Sequence, residues 1–195
     1  MAFLRVPSGP DPLQGLRGNG VWLRQPVSAD YAAWAQLRQA SRDHLTPFEP
    51  QWSGDELTRA AFRWRIRHSQ RDMRDDRGYA FFIFRQSDSA LLGGVTLSNV
   101  RRGVTQCGSL GYWIGAPYAG RGFMTHALRT LLLFVFDELR LHRVEAACLP
   151  ENAASIRVLE KAGFAREGVA RRYLKINGEW RDHVLFALLE DDERP

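Results

Sequence analysis

The sequence predicts an α+β protein, a three-layer α/β arrangement around a mixed, mostly antiparallel central sheet. Three observations carry that expectation. Apolar runs at 79–85, 91–100 and 105–115 are separated by the turn pairs Ser87-Asp88 and Arg102-Gly103, as in an antiparallel meander. A long apolar helix at 123–139 leads to a further apolar strand at 142–149, a right-handed crossover that adds one parallel pair. The chain closes on two runs, 167–176 and 179–189, joined by Asn177-Gly178, the strongest short hairpin signal available.

The elements follow in order. Residues 1–20, with Pro7, Pro10, Pro12 and four glycines, read as a flexible tail before a single domain at 21–190, and 191–195 as a C-terminal tail. Residues 21–27 alternate enough for an opening strand, followed by a helix capped near Ser28 or Asp30 and ending near Arg42. The loop 46–52 carries two prolines. Ser53-Gly-Asp-Glu56 has the form of a capping box and predicts a second helix, rich in arginine and aromatics, reaching about Asp75. Phe62 and Ile66 repeat at helical spacing; Trp64 stands between core and the wall of a substrate site, with core preferred. Asn152 is a natural N-cap for a helix with Ile156, Leu159 and Ala162 on its apolar face, and Gly163 stops it.

At 195 residues the chain is one domain able to bury a full core, and 45% hydrophobic with 25% charged residues are globular values. No apolar run nears the roughly 18 residues of a membrane span, and the N-terminus lacks a secretory core, so no membrane partner and a cytoplasmic setting are expected. Cys107 and Cys148 lie in apolar strands and read as reduced, buried small hydrophobes. No metal is expected. The net charge of +5 favours contact with polyanions, but the basic residues are interleaved with acids, as in Arg71-Asp-Met-Arg-Asp-Asp-Arg77, which reads as a solvated helix end. A sequence-specific nucleic-acid reader is not expected.

The stretch from Gly111 to Leu128 carries the first chemical signal. A strand at 110–115 runs into a turn at 119–122 that opens the long helix at Phe123. Free N–H groups at a helix start, reached through glycines, form a cradle for a phosphate-bearing ligand. By itself this is as readily a plain turn. There is no Gly-x-x-x-x-Gly-Lys-Ser/Thr run, and Thr125 occupies the place of a dinucleotide fingerprint's third glycine. The second element decides: Pro150 and Asn152 lead into the helix that ends Lys161-Ala-Gly-Phe164.

Together these elements resemble the GNAT (Gcn5-related) N-acetyltransferase superfamily over residues 21–189, nearly the whole chain. Further blocks are similar to its RimJ/RimL branch, which acetylates N-terminal amines of ribosomal proteins. They are His44-Leu-Thr-Pro-Phe-Glu-Pro50, Gly94-Val-Thr-Leu-Ser-Asn-Val-x-Arg-Gly103, Leu110-Gly-Tyr-Trp-Ile-Gly115 and Asn177-Gly-Glu-Trp-Arg-Asp-His-Val184. The last two look most like RimJ, the alanine-specific member. The resemblance implies an acyl-CoA N-acyltransferase fold in the order β-α-α-β-β-β-α-β-α-β-β, with helices on both faces of the sheet. Strands four and five, here 105–115 and 142–149, are expected to splay and admit the acyl arm.

It also implies acetyl-CoA, held at its pyrophosphate by Ala119, Gly120, Arg121, Gly122, Phe123, Met124 and Thr125. Asn152 and Ser155 would flank the pantetheine, and Trp113 and Ile114 would border the thioester, with an N–H near Ile114 facing the developing oxyanion. Lys161 would approach the ribose phosphate, although an exposed helix lysine fits that position equally. Two residues depart from the family pattern. Ala119 stands where Gln or Arg is usual. His126 stands where RimJ and RimL carry glutamate; a positive charge is unfavourable at a helix start, so it reads as uncharged and noncatalytic.

The implied reaction is direct attack of a neutral amine on a thioester in a ternary complex. An α-amino group titrates at about 7.7–8.0 and a thiol at about 8.5, so positioning supplies most of the rate and no single base is required. Ser155 is the candidate acid for the departing thiolate, as in RimL-like enzymes, and equally a helix residue bonding its own backbone. Tyr173 is the second acid candidate, with a cross-strand core tyrosine the plainer reading. Glu49 is the candidate base; an ammonium anchor and a surface carboxylate are its alternatives. Asp182 and His183 point to opposite faces of one strand and are expected in structural hydrogen bonds.

The acceptor expected is the N-terminal amine of a protein such as a ribosomal protein. A small amine (polyamine, amino acid or antibiotic) is the alternative, and a noncatalytic, CoA-bound factor that binds ribosomes or another protein is a third. A peptide acceptor needs an open slot between the 46–52 loop and the closing hairpin, and a small amine a closed acidic pocket. Monomer and homodimer are both compatible with the sequence.

Overall fold

Alternating runs build an antiparallel meander of β3 (Tyr79–Arg85), β4 (Leu91–Arg101) and β5 (Cys107–Ile114). The computed structural model describes residues 15–193. Before the meander come β1 (Leu16–Arg17), β2 (Val21–Arg24), α1 (Tyr31–Ala40), α2 (Arg42–Leu45) and α3 (Arg59–Arg74). After it come α4 (Phe123–Leu133), β6 (Arg143–Cys148), α5 (Ala153–Lys161), β7 (Ala165–Ile176) and β8 (Glu179–Leu189). The eight strands form one sheet in the order β1-β2-β3-β4-β5-β6-β8-β7, and β5 with β6 is its parallel pair.

Helices cover both faces. Tyr79, Phe81 and Ile83 of β3 point into the larger core with Leu128 and Leu131 of α4 and Leu159 of α5. Phe82 and Phe84 point the other way, into a smaller aromatic core with Trp34 of α1 and Phe62 and Ile66 of α3. A strand buried on both sides reads as a continuous apolar run, and β3 does. Both cysteines are buried, Cys107 at 2% and Cys148 at 6% exposure.

Four expectations are corrected. Leu16–Arg17 pairs with Leu23 and Trp22, so the domain starts inside what reads as tail; residues 1–14 lie outside the described residues, as do 194–195 of the C-terminal tail. The Ser53–Glu56 box caps nothing: it closes a turn, with the Glu56 N–H on the Ser53 carbonyl at 3.1 Å. Thr58 is the true N-cap of α3, its hydroxyl accepting from the Ala61 N–H at 3.2 Å. Trp64 is 58% exposed rather than core. The long helix keeps α geometry only to Leu133 and finishes as a wider turn, Phe134–Glu138, in which the Leu139 N–H reaches the Phe134 carbonyl at 3.0 Å.

Candidate active site

The strand register opens a wedge. β5 and β6 pair only from Cys107↔Arg143 to Leu110↔Ala146. Beyond that point β5 follows β4 up to Gly93↔Ile114, while β6 follows β8 up to Cys148↔Val184. The Gly115 N–H bonds to the Leu92 carbonyl at 2.8 Å. Alternation along an antiparallel ladder therefore turns the amides and carbonyls of Tyr112 and Ile114 away from β4, into the wedge. Trp113 sits on the opposite face, where a Cβ on Gly94 would stand 2.6 Å from its indole nitrogen; glycine is what lets that ring lie flat on β4.

The cradle stands above the wedge. Gly120 and Gly122 take positive φ, +73° and +82°, and α4 starts at Phe123 without a side-chain cap. Among the described main-chain bonds, none is donated by residues 120–125, whereas the His126 N–H already closes on the Gly122 carbonyl at 3.1 Å. A row of unsatisfied donors at a helix start, with open space around Gly120, fits a pyrophosphate. His126 belongs to this site: its ring lies 3.6 Å from where a Gly122 Cβ would be. Arg121 is exposed, over the Phe123 ring at 5.6 Å. The turn before the cradle is tied to α1 by the buried Ser41, whose hydroxyl accepts from the Ala116 N–H at 2.9 Å. Lys161 is exposed at the far end of α5, where its carbonyl accepts from Arg129 at 2.7 Å.

At the other end of α5, Asn152 caps the helix by accepting from the Ser155 N–H at 3.0 Å. The Ser155 hydroxyl meets the Tyr112 hydroxyl across the wedge at 2.7 Å. Burial holds the Tyr112 phenol far above its ordinary range, so it stays protonated. Burial likewise raises the neighbouring Cys148 thiol and keeps it neutral.

Glu49 is not free. Arg38 grips both its oxygens, at 2.7 and 2.8 Å, and the Trp52 indole N–H donates to one of them at 2.8 Å. Arg38 itself is 6% exposed, sandwiched between the rings of Trp52 at 4.4 Å and Trp113 at 5.0 Å. The Glu49 carbonyl accepts from the Asn177 N–H at 2.9 Å. The loop and the hairpin tip are thus joined, and the slot expected between them is bridged.

The open side is elsewhere. A groove of about 710 Å³ runs along the α3 face of the sheet, lined by Ser69 and Asp72 of α3, Thr96 of β4, Ser109 of β5, Glu145 of β6 and Tyr173 of β7. Ser109, Gly111 and Trp113 share one face of β5, and nothing lies within 4 Å of a Cβ built on Gly111. Tyr173 meets the buried His183 edge-on at 5.9 Å, one residue from the partner of Cys148. On β5 and β6 the groove stops at Ser109 and Glu145, which are still paired with each other, one pair short of where the two strands part. Its acids are paired: Asp72 with His68 and Arg77, Glu145 with Arg143 and Arg101.

Tyr173 is thus a groove residue, whereas Ser155 is joined to Tyr112. Asp182 accepts from the Arg172 N–H at 2.8 Å. His183 Nδ1 lies 2.9 Å from the Arg181 carbonyl, which only accepts, so Nδ1 carries the proton.

A splayed parallel pair beneath an amide cradle at a helix start defines an acyl-transfer site. Residues 21–165 match the acetyltransferase (GNAT) domain family, and the chain belongs to it. It is an N-acetyltransferase of the RimJ/RimL-like branch, and acetyl-CoA is the donor that this family uses.

Among its relatives, a probable N-acetyltransferase, YjcK of Bacillus subtilis, is 39% identical over 178 residues, covering 91% of this chain and 98% of that one. The [ribosomal protein uS5]-alanine N-acetyltransferase of Escherichia coli is 35% identical over 170 residues, covering 85% and 87%. The structure of Mycobacterium smegmatis RimJ in complex with CoA-disulfide superposes with a TM-score of 0.83 at 34% identity, covering 90% of this chain and 85% of that one.

Proposed function

We propose that the chain acetylates the N-terminal α-amino group of a protein, a ribosomal protein first among candidates, in the cytoplasm. The observation that carries this reading is the open groove that stops one strand pair short of the wedge, lined by hydroxyls and by acids already paired with cations. An extended polypeptide suits such a groove; a free polycation would want unpaired carboxylates in a closed pocket. The 35% identity to the uS5-alanine enzyme supports the same acceptor.

Acetyl-CoA supplies an activated thioester. The chain's own groups do the rest. Amides 120–125, with Arg121 and His126 beside them, hold the pyrophosphate, and the Ile114 N–H faces the oxygen that gains charge. Ser155 passes its proton to the departing sulfur and regains one from the nitrogen that has joined the acetyl carbon, while Tyr112, locked in its protonated form, orients Ser155. We assign Glu49 to holding Arg38 and Trp52 rather than to taking a proton, because both its oxygens are occupied. The neutral fraction of an α-amine near pH 7.5 needs no base.

The test is acetyl-CoA turnover on a library of peptides with free N-termini, with polyamines and aminoglycosides competing. Turnover confined to peptides, and lost when their N-termini are blocked, is expected. A small amine as the preferred acceptor overturns the reading, as does CoA binding without transfer to any amine.

A further inference from the structure

The arginine-bearing side of α3 takes no part in the chemistry above, although His68 at its edge also lines the groove. Arg59, Arg63, Arg67 and Arg71 recur every fourth residue, all exposed, and line one side of the helix over about 18 Å. Arg74 falls on the same side. The nearby acids are committed elsewhere: Glu56 to Arg65 at 2.6 Å, Asp72 to His68 and Arg77 at 3.3 and 3.4 Å, Asp75 to Arg77 at 2.7 Å. Among the described residues no carboxylate pairs with Arg63, Arg67, Arg71 or Arg74, and Arg59 lies over the Tyr31 ring at 4.3 Å. Like charges four residues apart repel. The helix keeps an uncompensated repulsion that a polyanion would relieve.

Flanking the arginines is an aromatic platform. Trp64, 58% exposed, stacks on His68 with ring centroids 5.0 Å apart and planes 7° from parallel. A bilayer would need a free apolar helix face, but Phe62 and Ile66 are already in the core. An acidic protein would satisfy the arginines and leave the platform unused. Phosphates with unpaired bases satisfy both, the phosphates by charge and the bases by stacking.

We propose that this face of α3 binds single-stranded RNA without sequence preference. The inference is independent of the acceptor's identity.

The test titrates the full chain into a labelled twelve-nucleotide uridine oligomer. Inorganic polyphosphate, polyglutamate and anionic phosphatidylserine vesicles serve as parallel probes. Four phosphate contacts at about −0.7 each predict that log affinity falls with log salt at a slope of about −3. Arg63→Glu/Arg67→Glu/Arg71→Glu should weaken RNA binding at least about tenfold and flatten that slope. Trp64→Ala should weaken RNA binding about fivefold or more while leaving polyphosphate binding unchanged, because polyphosphate has no bases to stack. Turnover of a tripeptide acceptor serves as the folding control and stays at its original value; if charge reversal unfolds the helix, the Gln triple variant reads the same loss. The proposal is overturned if the intact chain does not bind the oligomer or if the triple variant binds it undiminished. Polyglutamate or vesicles held as tightly as RNA would also overturn it.

Discussion

Arg38 ties the 46–52 loop and Trp113 of β5 to the helical layer. One guanidinium spans the Glu49 carboxylate and two indole rings, a geometry lysine could not reproduce. Arg38→Met would leave the Glu49 carboxylate, only 20% exposed, without the cation that grips both its oxygens. It should cost about 2 kcal/mol in urea unfolding and raise KM for the acceptor more than it lowers kcat. Tyr112 is the matching residue on the donor side. Tyr112→Phe removes the 2.7 Å bond to Ser155 and should lower kcat about tenfold, with CoA affinity by calorimetry unchanged. Equal kcat in the variant would show that Ser155 needs no orienting partner. Neither residue stands out in the sequence. Arg38 finds Glu49 eleven positions away and Tyr112 finds Ser155 across forty-three, so their roles exist only once the elements pack.

At the scale of elements, local signals that act within one turn were the readable ones. Asn152 caps α5 as its position predicts, because the cap and the N–H that donates to it lie three residues apart. The same reasoning failed at Ser53, where a turn and a true cap five residues later compete for one short segment. Thr58→Ala should therefore cost about 1 kcal/mol in thermal or urea unfolding, and Ser53→Ala far less. Trp64 misled for a related reason: Phe62 and Ile66 set the buried side of α3, and a residue two positions from Phe62 lies about 200° around the helix. At the head of α4, Gly122→Asp would place a carboxylate at φ +82° against donors meant for an anion. Calorimetry should find CoA binding abolished; undiminished affinity would move the cradle elsewhere.

For the whole molecule, most of the sheet and its covering layers were legible because the inner strands alternate or are apolar throughout, whereas β7 was given by its Asn177-Gly178 turn and β1 was missed. The wedge was expected only through the family resemblance, since divergence of β5 from β6 comes from register rather than from residue type. That the His126 ring lies beside Gly122 was likewise not legible, because it depends on the turn that precedes α4.

The ends of the meander and α3 are pinned by Asp76, which accepts from Arg102 at 2.6 and 2.8 Å and from the Tyr79 hydroxyl at 2.7 Å. The Arg102 bonds hold the Asp76 carboxyl below the usual range, and Arg143 does the same for Glu167. A depressed folded pKa stabilises above the unfolded value, about 3.9 for aspartate and 4.3 for glutamate, and that contribution is lost as pH falls through the folded value. Urea midpoints should thus be level from these groups between pH 7 and 5.5 and drop below about pH 4. Asp76→Asn should soften that drop.

The two rims of the sheet differ in kind. One is the two-residue rung β1; the other, β7, carries Arg166, Glu167, Arg171, Arg172 and Lys175 along its exposed length. A foreign strand seeking hydrogen bonds meets too little backbone at the first and a palisade of charge at the second. Clumping on storage should accordingly track the unfolded fraction, and native molecules should not zip together edge to edge.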